Sequence, residues 1–209
     1  MPAKDSHISV QLDELLRRIA REDETAFTQL YLHFGKKLMQ FAVSLVRSKE
    51  IAEELVEDVF VKLWANRLQS ERIGNITVYL YVAVKNRSLN ALSQKAHELV
   101  AAPFDYLDTT IDQFASDPYD LMITAEMMAR MREAIESLPP RCKMIFKLIR
   151  EDGLKYKEVS EILNISVNTI DAQMAIAVKK ICYSLEIEKP GKPFPANLLQ
   201  ASRKISKKS

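Results

Sequence analysis

The sequence predicts an all-α protein made of two small helical domains joined by an acidic linker. Its 209 residues include only four glycines, all far apart, which disfavours the many tight turns of an all-β fold. Prolines are absent from residues 3–102 and 141–189, and because proline breaks helix interiors, both blocks are expected to be helical. Apolar residues recur at helical spacing through each block, which indicates amphipathic helices.

The first block divides into four helices. Residues 11–20 form the first, and the second begins near Asp23 and keeps its apolar spacing to Val46. Residues 51–67 form a third helix. After loop-like composition at residues 65–77, residues 78–95 form a fourth helix that is apolar and basic. The third helix places its apolar residues opposite an acidic side that carries Glu53, Glu54, Glu57 and Asp58.

The second block follows the linker, residues 97–125, which contains acidic residues but no Lys or Arg. Its composition favours disorder over a folded segment. Four helices are predicted next, at residues 126–138, 139–152, 156–164 and 168–185, and Ser166 or Asn168 is expected to cap the last one. Residues 187–209 are predicted to form a flexible basic tail. The predicted divisions are therefore residues 1–96, 97–125, 126–186 and 187–209.

Several classes of function find no support in the sequence. The glycine spacing excludes a P-loop and a dinucleotide fingerprint. The two cysteines, Cys142 and Cys182, lie far apart in apolar helical patterns and are expected to be buried free thiols. His33 has no accompanying nucleophile or carboxylate pattern, so we expect no catalysis. Because the cysteines and histidines are scattered and the glycines lie far apart, we also expect no metal, no cofactor and no small-molecule substrate.

The location expected for the protein is cytoplasmic. The N-terminus, MPAKDS, lacks the apolar core of a signal peptide. The longest stretch without a charge, Ile73 to Val84, is too short to cross a bilayer as a helix.

Two segments carry features of nucleic-acid binding. Residues 156–182 contain a short helix, a tight turn and a second helix, which is the pattern of a helix-turn-helix unit that lays its second helix in the DNA major groove. Residues 77–95 combine Tyr79 and Tyr81 with basic and amide side chains, a mixture that suits single-stranded nucleic acid because bases stack on rings while cations hold phosphates. The simpler alternative is that both tyrosines lie in the core of a helix with a solvated basic face.

The order of these segments resembles the sigma-70 family of bacterial RNA polymerase sigma factors, and specifically the small extracytoplasmic function (ECF) group. IAEELVEDVFVKLW, residues 51–64, resembles the helix that binds polymerase. VYLYVAVKNRSLNAL, residues 78–92, is similar to the helix that melts and reads the promoter −10 element. Residues 138–173 resemble the −35-binding domain, with a pattern similar to that of Bacteroidetes sigma factors. The resemblance implies a sigma region 2 domain at residues 1–96 and a sigma region 4 domain at residues 126–186.

The resemblance also implies partners and contact residues. The partners are core RNA polymerase, bound at the clamp of its largest subunit and the flap of its second-largest subunit, promoter DNA, and an anti-sigma protein at the membrane. The polymerase-binding residues are Glu54, Val56, Glu57 and Asp58. An unstacked −10 base is captured by the loop at residues 68–77 and the helix behind it, and −10 DNA is contacted by Tyr79, Lys85, Asn86, Arg87 and Lys95. The −35 element is contacted by Lys155, Lys157, Asn168, Thr169, Ala172, Gln173, Ala175, Ile176 and Lys179.

Two other functions compete with a sigma factor that binds polymerase, recognises −35 and melts −10 DNA. A stand-alone helix-turn-helix regulator of duplex DNA accounts for residues 126–186 but leaves residues 50–95 unexplained. A helical adaptor without a DNA role predicts no basic patch at residues 72–97, where the sequence has one.

Overall fold

The computed structural model describes residues 3–98 and 122–185, with side chains described for residues 10–94 and 128–185. These residues are helical and include no β-strand, which confirms the predicted fold class. The elements are α1 (Ala3–Ala20), α2 (Glu24–Val46), α3 (Lys49–Ala65), a 3₁₀ helix (Arg67–Arg72), α4 (Ile76–Glu98), α5 (Met122–Glu136), α6 (Pro140–Arg150), α7 (Tyr156–Leu163) and α8 (Val167–Ser184). Residues 99–121, most of the predicted linker, and the predicted tail lie outside the described residues.

The N-terminal half is built around α2, which packs against α1, α3 and α4. The helix begins where Asp23 caps it, since the Asp23 carboxylate accepts hydrogen bonds from the backbone N–H groups of Thr25 and Ala26 at 2.9 and 3.1 Å. The hydroxyl of Thr25 also donates to this carboxylate, and this bond, with those from the Ala26 N–H and the Arg18 guanidinium, lowers the pKa of Asp23. The fully buried core side chains include Leu16, Ile19, Leu30, Leu38, Leu63, Leu80, Tyr81 and Val84.

The C-terminal half places α5, α6 and α7 against α8. Pro140 begins α6, as expected for a residue without an N–H at a helix start. Gly153 has φ 79° between α6 and α7, where a side chain would strain the backbone. The core side chains include Leu138, Ile145, Leu148, Val159, Ile162, Ile170, Met174 and Ile181.

The helices next to the linker differ from their expected bounds. α4 continues to Glu98 and α5 begins at Met122, so both enter the segment that composition marked as linker. No proline follows Pro118 before residue 139, and nothing prevents a helix from starting at Met122. The loop expected at residues 65–77 contains the 3₁₀ helix, which is fixed because the Ser70 hydroxyl donates to the Leu16 carbonyl at 2.9 Å.

The two halves touch each other through α4 and α7. The Lys85 amine donates to the Ile162 carbonyl at 2.7 Å, and the Tyr81 hydroxyl donates to the Asp152 carboxylate at 2.7 Å. This contact brings the basic helix of the first half against the helix-turn-helix unit of the second.

Candidate protein and nucleic-acid interfaces

The outer side of α3 is an exposed acidic face, formed by Glu50, Glu53, Glu54 and Glu57. The helix starts at Ser48, whose hydroxyl accepts from the Ile51 N–H at 3.2 Å and donates to Glu50 at 2.8 Å. Hydrogen bonds from the Glu50 backbone and from Ser48 lower the pKa of Glu50. Val61, which is 66% exposed, lies one helical turn beyond Glu57 and adds an apolar spot next to the acids.

The structure corrects one of the four predicted polymerase contacts and qualifies another. Val56 is only 3% exposed and packs in the core, so its side chain presents no surface to a partner. Helical spacing already places Val56 on the apolar stripe and not on the acidic face, and only the family resemblance implied a polymerase contact for it. Asp58 is half exposed and forms an ion pair with Arg87 of α4. Glu54 and Glu57 remain exposed as predicted.

A cleft of about 370 Å³ opens where the sequence predicts capture of an unstacked base. Its walls come from the end of α3, the 3₁₀ helix, the following loop and the first turn of α4. The lining residues are Leu63, Asn66, Gln69, Arg72, Ile73 and Tyr79. The lining combines an aromatic ring, two amides, one guanidinium and apolar surface, and it contains no carboxylate. Such a site can stack a base, bond its edge and attract its phosphate.

Local structure holds the walls of this cleft in place. Asn75 begins α4, because its side-chain carbonyl accepts from the Val78 N–H at 3.1 Å, and this fixes Tyr79 in the first turn. The guanidinium of Arg67 lies over the Trp64 ring at 5.3 Å and donates to the Trp64 carbonyl at 3.2 Å. Arg67 also forms an ion pair with Glu22, which ties the 3₁₀ helix to the turn after α1.

The two tyrosines of α4 have different surroundings. Tyr79 is 36% exposed and lines the cleft, whereas Tyr81 is fully buried and packs against the Phe41 ring at 5.2 Å between centroids. Burial, and then the neighbouring Asp152, raise the pKa of the Tyr81 hydroxyl, so that this group stays protonated. The alternative of a core position therefore holds for Tyr81, while base stacking on Tyr79 stays a prediction.

The other predicted −10 contacts lie along α4. Asn86 is exposed. Lys85 and Arg87 are half-buried and engaged, Lys85 with the Ile162 carbonyl and Arg87 with Asp58. The side chain of Lys95 lies outside the described residues.

The helix-turn-helix unit consists of α7, a three-residue turn and α8. Asn164 ends α7 with φ 53°, the left-handed conformation that asparagine tolerates, and Ser166 caps α8 by accepting from the Thr169 N–H at 3.0 Å. The Ser160 hydroxyl donates to the Ile165 carbonyl at 2.6 Å and braces the turn. α6 supports α8 from behind, where the buried Cys142 thiol donates to the Gln173 carbonyl at 3.2 Å.

All of the predicted −35 contact residues reach the surface. Seven are exposed, while Thr169 and Gln173 are partly buried. The Thr169 hydroxyl is 2.8 Å from that of Ser166, so part of its bonding capacity serves the cap. The exposed seven are Lys155, Lys157, Asn168, Ala172, Ala175, Ile176 and Lys179.

Within residues 3–98 and 122–185, no group of His, Cys, Asp and Glu side chains is arranged to hold a metal ion. Cys142 and Cys182 are both free thiols, the first buried and the second half-buried. In the same part of the chain, no helix has the length and apolar character that a membrane span needs.

Comparisons with known proteins match both halves of the chain. The family "Sigma-70 region 2" matches residues 30–98 and the family "Sigma-70, region 4" matches residues 128–181, together more than half of the chain. The chain belongs to the sigma-70 family of RNA polymerase sigma factors, in its ECF group. It is 24% identical over 183 residues to the ECF RNA polymerase sigma factor SigK of Mycobacterium tuberculosis (strain ATCC 25618 / H37Rv), covering 86% of this chain and 96% of that protein. SigK of Mycobacterium sp. (strain JLS) is 24% identical over 185 residues, covering 85% and 92%.

Two solved structures share the sigma factor fold. CnrH in complex with the cytosolic domain of CnrY has a TM-score of 0.52 and 17% identity, covering 86% of this chain and 99% of that one. The sigma factor RpoE in complex with the anti-sigma factor NepR from Bartonella quintana has a TM-score of 0.52 and 22% identity, covering 78% and 98%.

Membership of the sigma-70 family confirms what the order of motifs predicted. An RNA polymerase sigma factor acts with core RNA polymerase on promoter DNA and is a transcription initiation factor, not a catalyst. The contact residues of the individual surfaces remain predictions.

Sequence reasoning missed two of the cleft residues, Leu63 and Asn66, whereas Gln69, Arg72 and Ile73 lie within the predicted capture loop at residues 68–77. Asn66 and Gln69 lie three positions apart on either side of the boundary between α3 and the 3₁₀ helix, and Leu63 and Ile73 complete the walls. The sequence signal that could have identified Asn66 and Gln69 was a pair of amides in a short loop between an acidic helix and a basic helix. The fold of the loop, which turns these amides inward beside Tyr79, depends on the contact of Ser70 with α1 and has no local pattern.

Proposed function

We propose that this sigma factor binds core polymerase through the acidic face of α3, captures a −10 base in the cleft beside Tyr79, and reads the −35 element with α8. The observation that carries the proposal is the position of the cleft, which joins a stacking ring, amides and a guanidinium at the site predicted for base capture.

The acidic face supports docking on a basic partner surface. Glu50, Glu53, Glu54 and Glu57 project from one helix into solvent. Because they are exposed, their attraction to a basic clamp acts at long range, raises the association rate and weakens as salt increases. The exposed Val61 side chain supplies apolar area at the end of the face. The exposed acids therefore attract a basic partner from a distance, and Val61 provides an apolar contact once the partner is bound.

The cleft supports capture of a base from a single strand. Flipping a base out of duplex DNA costs a few kcal/mol. Stacking on an aromatic ring stabilises each base by about 1–3 kcal/mol. The amides of Asn66 and Gln69 and the charge of Arg72 are therefore needed as well to offset the cost of flipping the base. The site alone holds one base, and polymerase supplies the rest of the energy for strand opening.

The surface of α8 supports readout of a duplex with few hydrogen bonds. Asn168 and Gln173 can bond adenine edges, while Ala172 and Ala175 can contact thymine methyl groups. Asp171 is exposed on the same helix and disfavours close approach of a phosphate. We therefore assign the phosphate contacts to Lys155, Lys157, Lys179 and Lys180. Part of the sequence specificity comes from the shape of the DNA.

An anti-sigma partner belongs to the proposal as well. Of the two similar structures, the RpoE structure is a complex with an anti-sigma factor, and the CnrH structure is a complex with a cytosolic domain. A protein of this class held at the membrane would keep this sigma factor inactive until a signal releases it.

The test is reconstitution with core RNA polymerase. The full chain is expected to co-purify with core polymerase and to direct run-off transcription from selected promoters, with thymines at the −10 element becoming reactive to permanganate. A stand-alone duplex-binding regulator would bind DNA without polymerase and open no strands, and that result would overturn the proposal.

A further inference from the structure

The outward face of α8 is apolar at its centre. Ile176 is 43% exposed and lies one helical turn after Ala172, which is also exposed. Ala175 is exposed beside them, and the sequence of α8 contains no arginine. The buried side chains of this helix are Ile170, Met174, Ala177 and Ile181. Ile176 therefore lies outside the buried stripe of α8 and presents part of its surface to solvent.

The polar side chains of α8 offer few hydrogen bonds for reading bases. The Thr169 hydroxyl is 2.8 Å from that of Ser166 and serves the helix cap. Gln173 is partly buried, Asp171 is acidic, and Asn168 is the exposed amide. Because the helix has no arginine, it also lacks the commonest bidentate contact to guanine. Hydrogen bonds from these few groups leave room for a second source of sequence preference.

An apolar side chain in the major groove distinguishes base pairs by one chemical group. The 5-methyl group of thymine is the apolar substituent exposed there, whereas guanine, cytosine and adenine present hydrogen-bonding atoms. Against a thymine, Ile176 would bury its exposed surface on that methyl group. Against a G·C pair, the same side chain would cover polar atoms without bonding them, which is unfavourable. The side chain of Ile176 therefore favours thymine and disfavours G·C.

The two alanines bring Ile176 within reach of the bases. Ala172 precedes it by about 6 Å along the helix axis, and Ala175 is its neighbour in sequence. Neither alanine extends beyond its Cβ atom, so the backbone of α8 can approach base edges closely and Ile176 extends furthest into the groove. The exposed Lys157 of α7 and Lys179 of α8 supply charge for phosphates, which positions the helix without selecting a sequence.

We propose that Ile176 is a specificity-determining residue, which selects thymine in the −35 element through the 5-methyl group of that base. The proposal rests on the proposed function, because it assumes that α8 lies in the major groove of a −35 duplex. It assigns a defined part of the sequence preference to an apolar contact, while the lysines contribute affinity.

Removal of single methyl groups from DNA tests this contact. Holoenzyme reconstituted from core polymerase and the full chain first selects duplexes from a promoter library that is randomised in the −35 region. Each thymine of the selected region is then replaced in turn by deoxyuridine, which lacks only the 5-methyl group. At one thymine, binding by wild-type holoenzyme is expected to fall about fourfold, the equivalent of about 0.8 kcal/mol for one buried methyl group. Holoenzyme with Ile176→Ala is expected to bind the thymine duplex more weakly and to lose the difference between thymine and uracil at that position.

Lys179→Ala is the matched control on the same helix. It is expected to weaken binding to both duplexes equally and to keep the uracil effect, because a phosphate contact carries no sequence information. The wild-type measurement needs no variant, so the proposal stays testable if Ile176→Ala misfolds. A selected −35 region without thymine, wild-type binding that is indifferent to uracil, or a full uracil effect in Ile176→Ala would each overturn the proposal. If the chain does not bind core polymerase, or if no −35 sequence is enriched, the proposed function fails instead, and the two failures are distinguishable.

Discussion

At the scale of single residues, two tyrosines separated by one position show how the site arises. Tyr81 points into the core, where its ring packs against Phe41 and its hydroxyl donates a hydrogen bond to the Asp152 carboxylate. Tyr79 lies about 200° away around the helix and borders the cleft. The sequence offered both rings as stacking candidates, and only the packing of α4 on α2 selects between them.

Replacement of Tyr79 tests the stacking role directly. Tyr79→Ala is expected to reduce open-complex formation by an amount equivalent to about 1–3 kcal/mol, because one base loses its ring partner. Tyr79→Phe keeps the ring and is expected to retain most activity. Permanganate footprinting of the −10 element measures both. Equal loss in the two variants would contradict stacking and point to the hydroxyl.

Asn86 offers a second test at the same scale. Its side chain is exposed on α4 and has no core role. Asn86→Ala is therefore expected to lower open-complex formation more than it lowers affinity for core polymerase. Fluorescence anisotropy for polymerase and footprinting for open complexes separate the two effects. Equal losses in both assays would remove Asn86 from the DNA-binding surface.

At the scale of elements, local patterns predicted most of the helices and some of the site. Helical spacing separated the acidic side of α3 from its apolar side, and Asp23, Ser166 and Asn164 end or begin helices as the pattern indicates. Val56 was assigned a polymerase contact by the family resemblance alone, although its angle on the helix points inward and its side chain is buried. The Asp58–Arg87 pair joins two helices, so no local pattern in either one reveals it.

The recognition helix depends on its cap. Ser166→Ala removes the acceptor of the Thr169 N–H and is expected to destabilise the second half by about 1 kcal/mol, with weaker −35 binding. Ser184→Ala, at the exposed end of the same helix, is the matched control and is expected to change little. Thermal unfolding followed by circular dichroism measures the difference. Indistinguishable midpoints for the two variants would mean that the cap contributes nothing.

At the scale of the whole molecule, the Asp152 carboxyl of the second half accepts a hydrogen bond from Tyr81 of the first half in the closed state, in which the two halves touch, and this carboxyl titrates. Burial raises the pKa of Asp152 to about 6, against the opposing effects of the Tyr81 hydrogen bond and the Lys37 charge. Glu151 raises this pKa further and Lys147 lowers it. A carboxyl whose pKa is raised in the closed state binds its proton more tightly there than in the open state. Closure is therefore favoured at low pH, and this contribution is lost as pH rises through about 6.

The pH dependence of closure follows from that sign. Lowering the pH from 7 to 5 is expected to raise the ratio of closed to open protein by at most about tenfold. Small-angle X-ray scattering should show a smaller radius of gyration at the lower pH. Asp152→Asn keeps an acceptor for Tyr81 but cannot titrate, and it is expected to flatten the response. A radius that increases on acidification, or an unchanged response in the Asn variant, would contradict the assignment to Asp152.

The most direct test of the central claim is the affinity of core polymerase for a variant with a reversed acidic face. Glu54→Lys with Glu57→Lys changes two exposed acids and spares Asp58, whose ion pair with Arg87 would otherwise confuse the result. Asp13→Lys with Glu133→Lys makes the same change in net charge at exposed sites elsewhere. We expect at least tenfold weaker binding for the first variant, a smaller salt dependence, and near-normal binding for the second. Unchanged binding by the first variant would contradict the claim that α3 holds the polymerase.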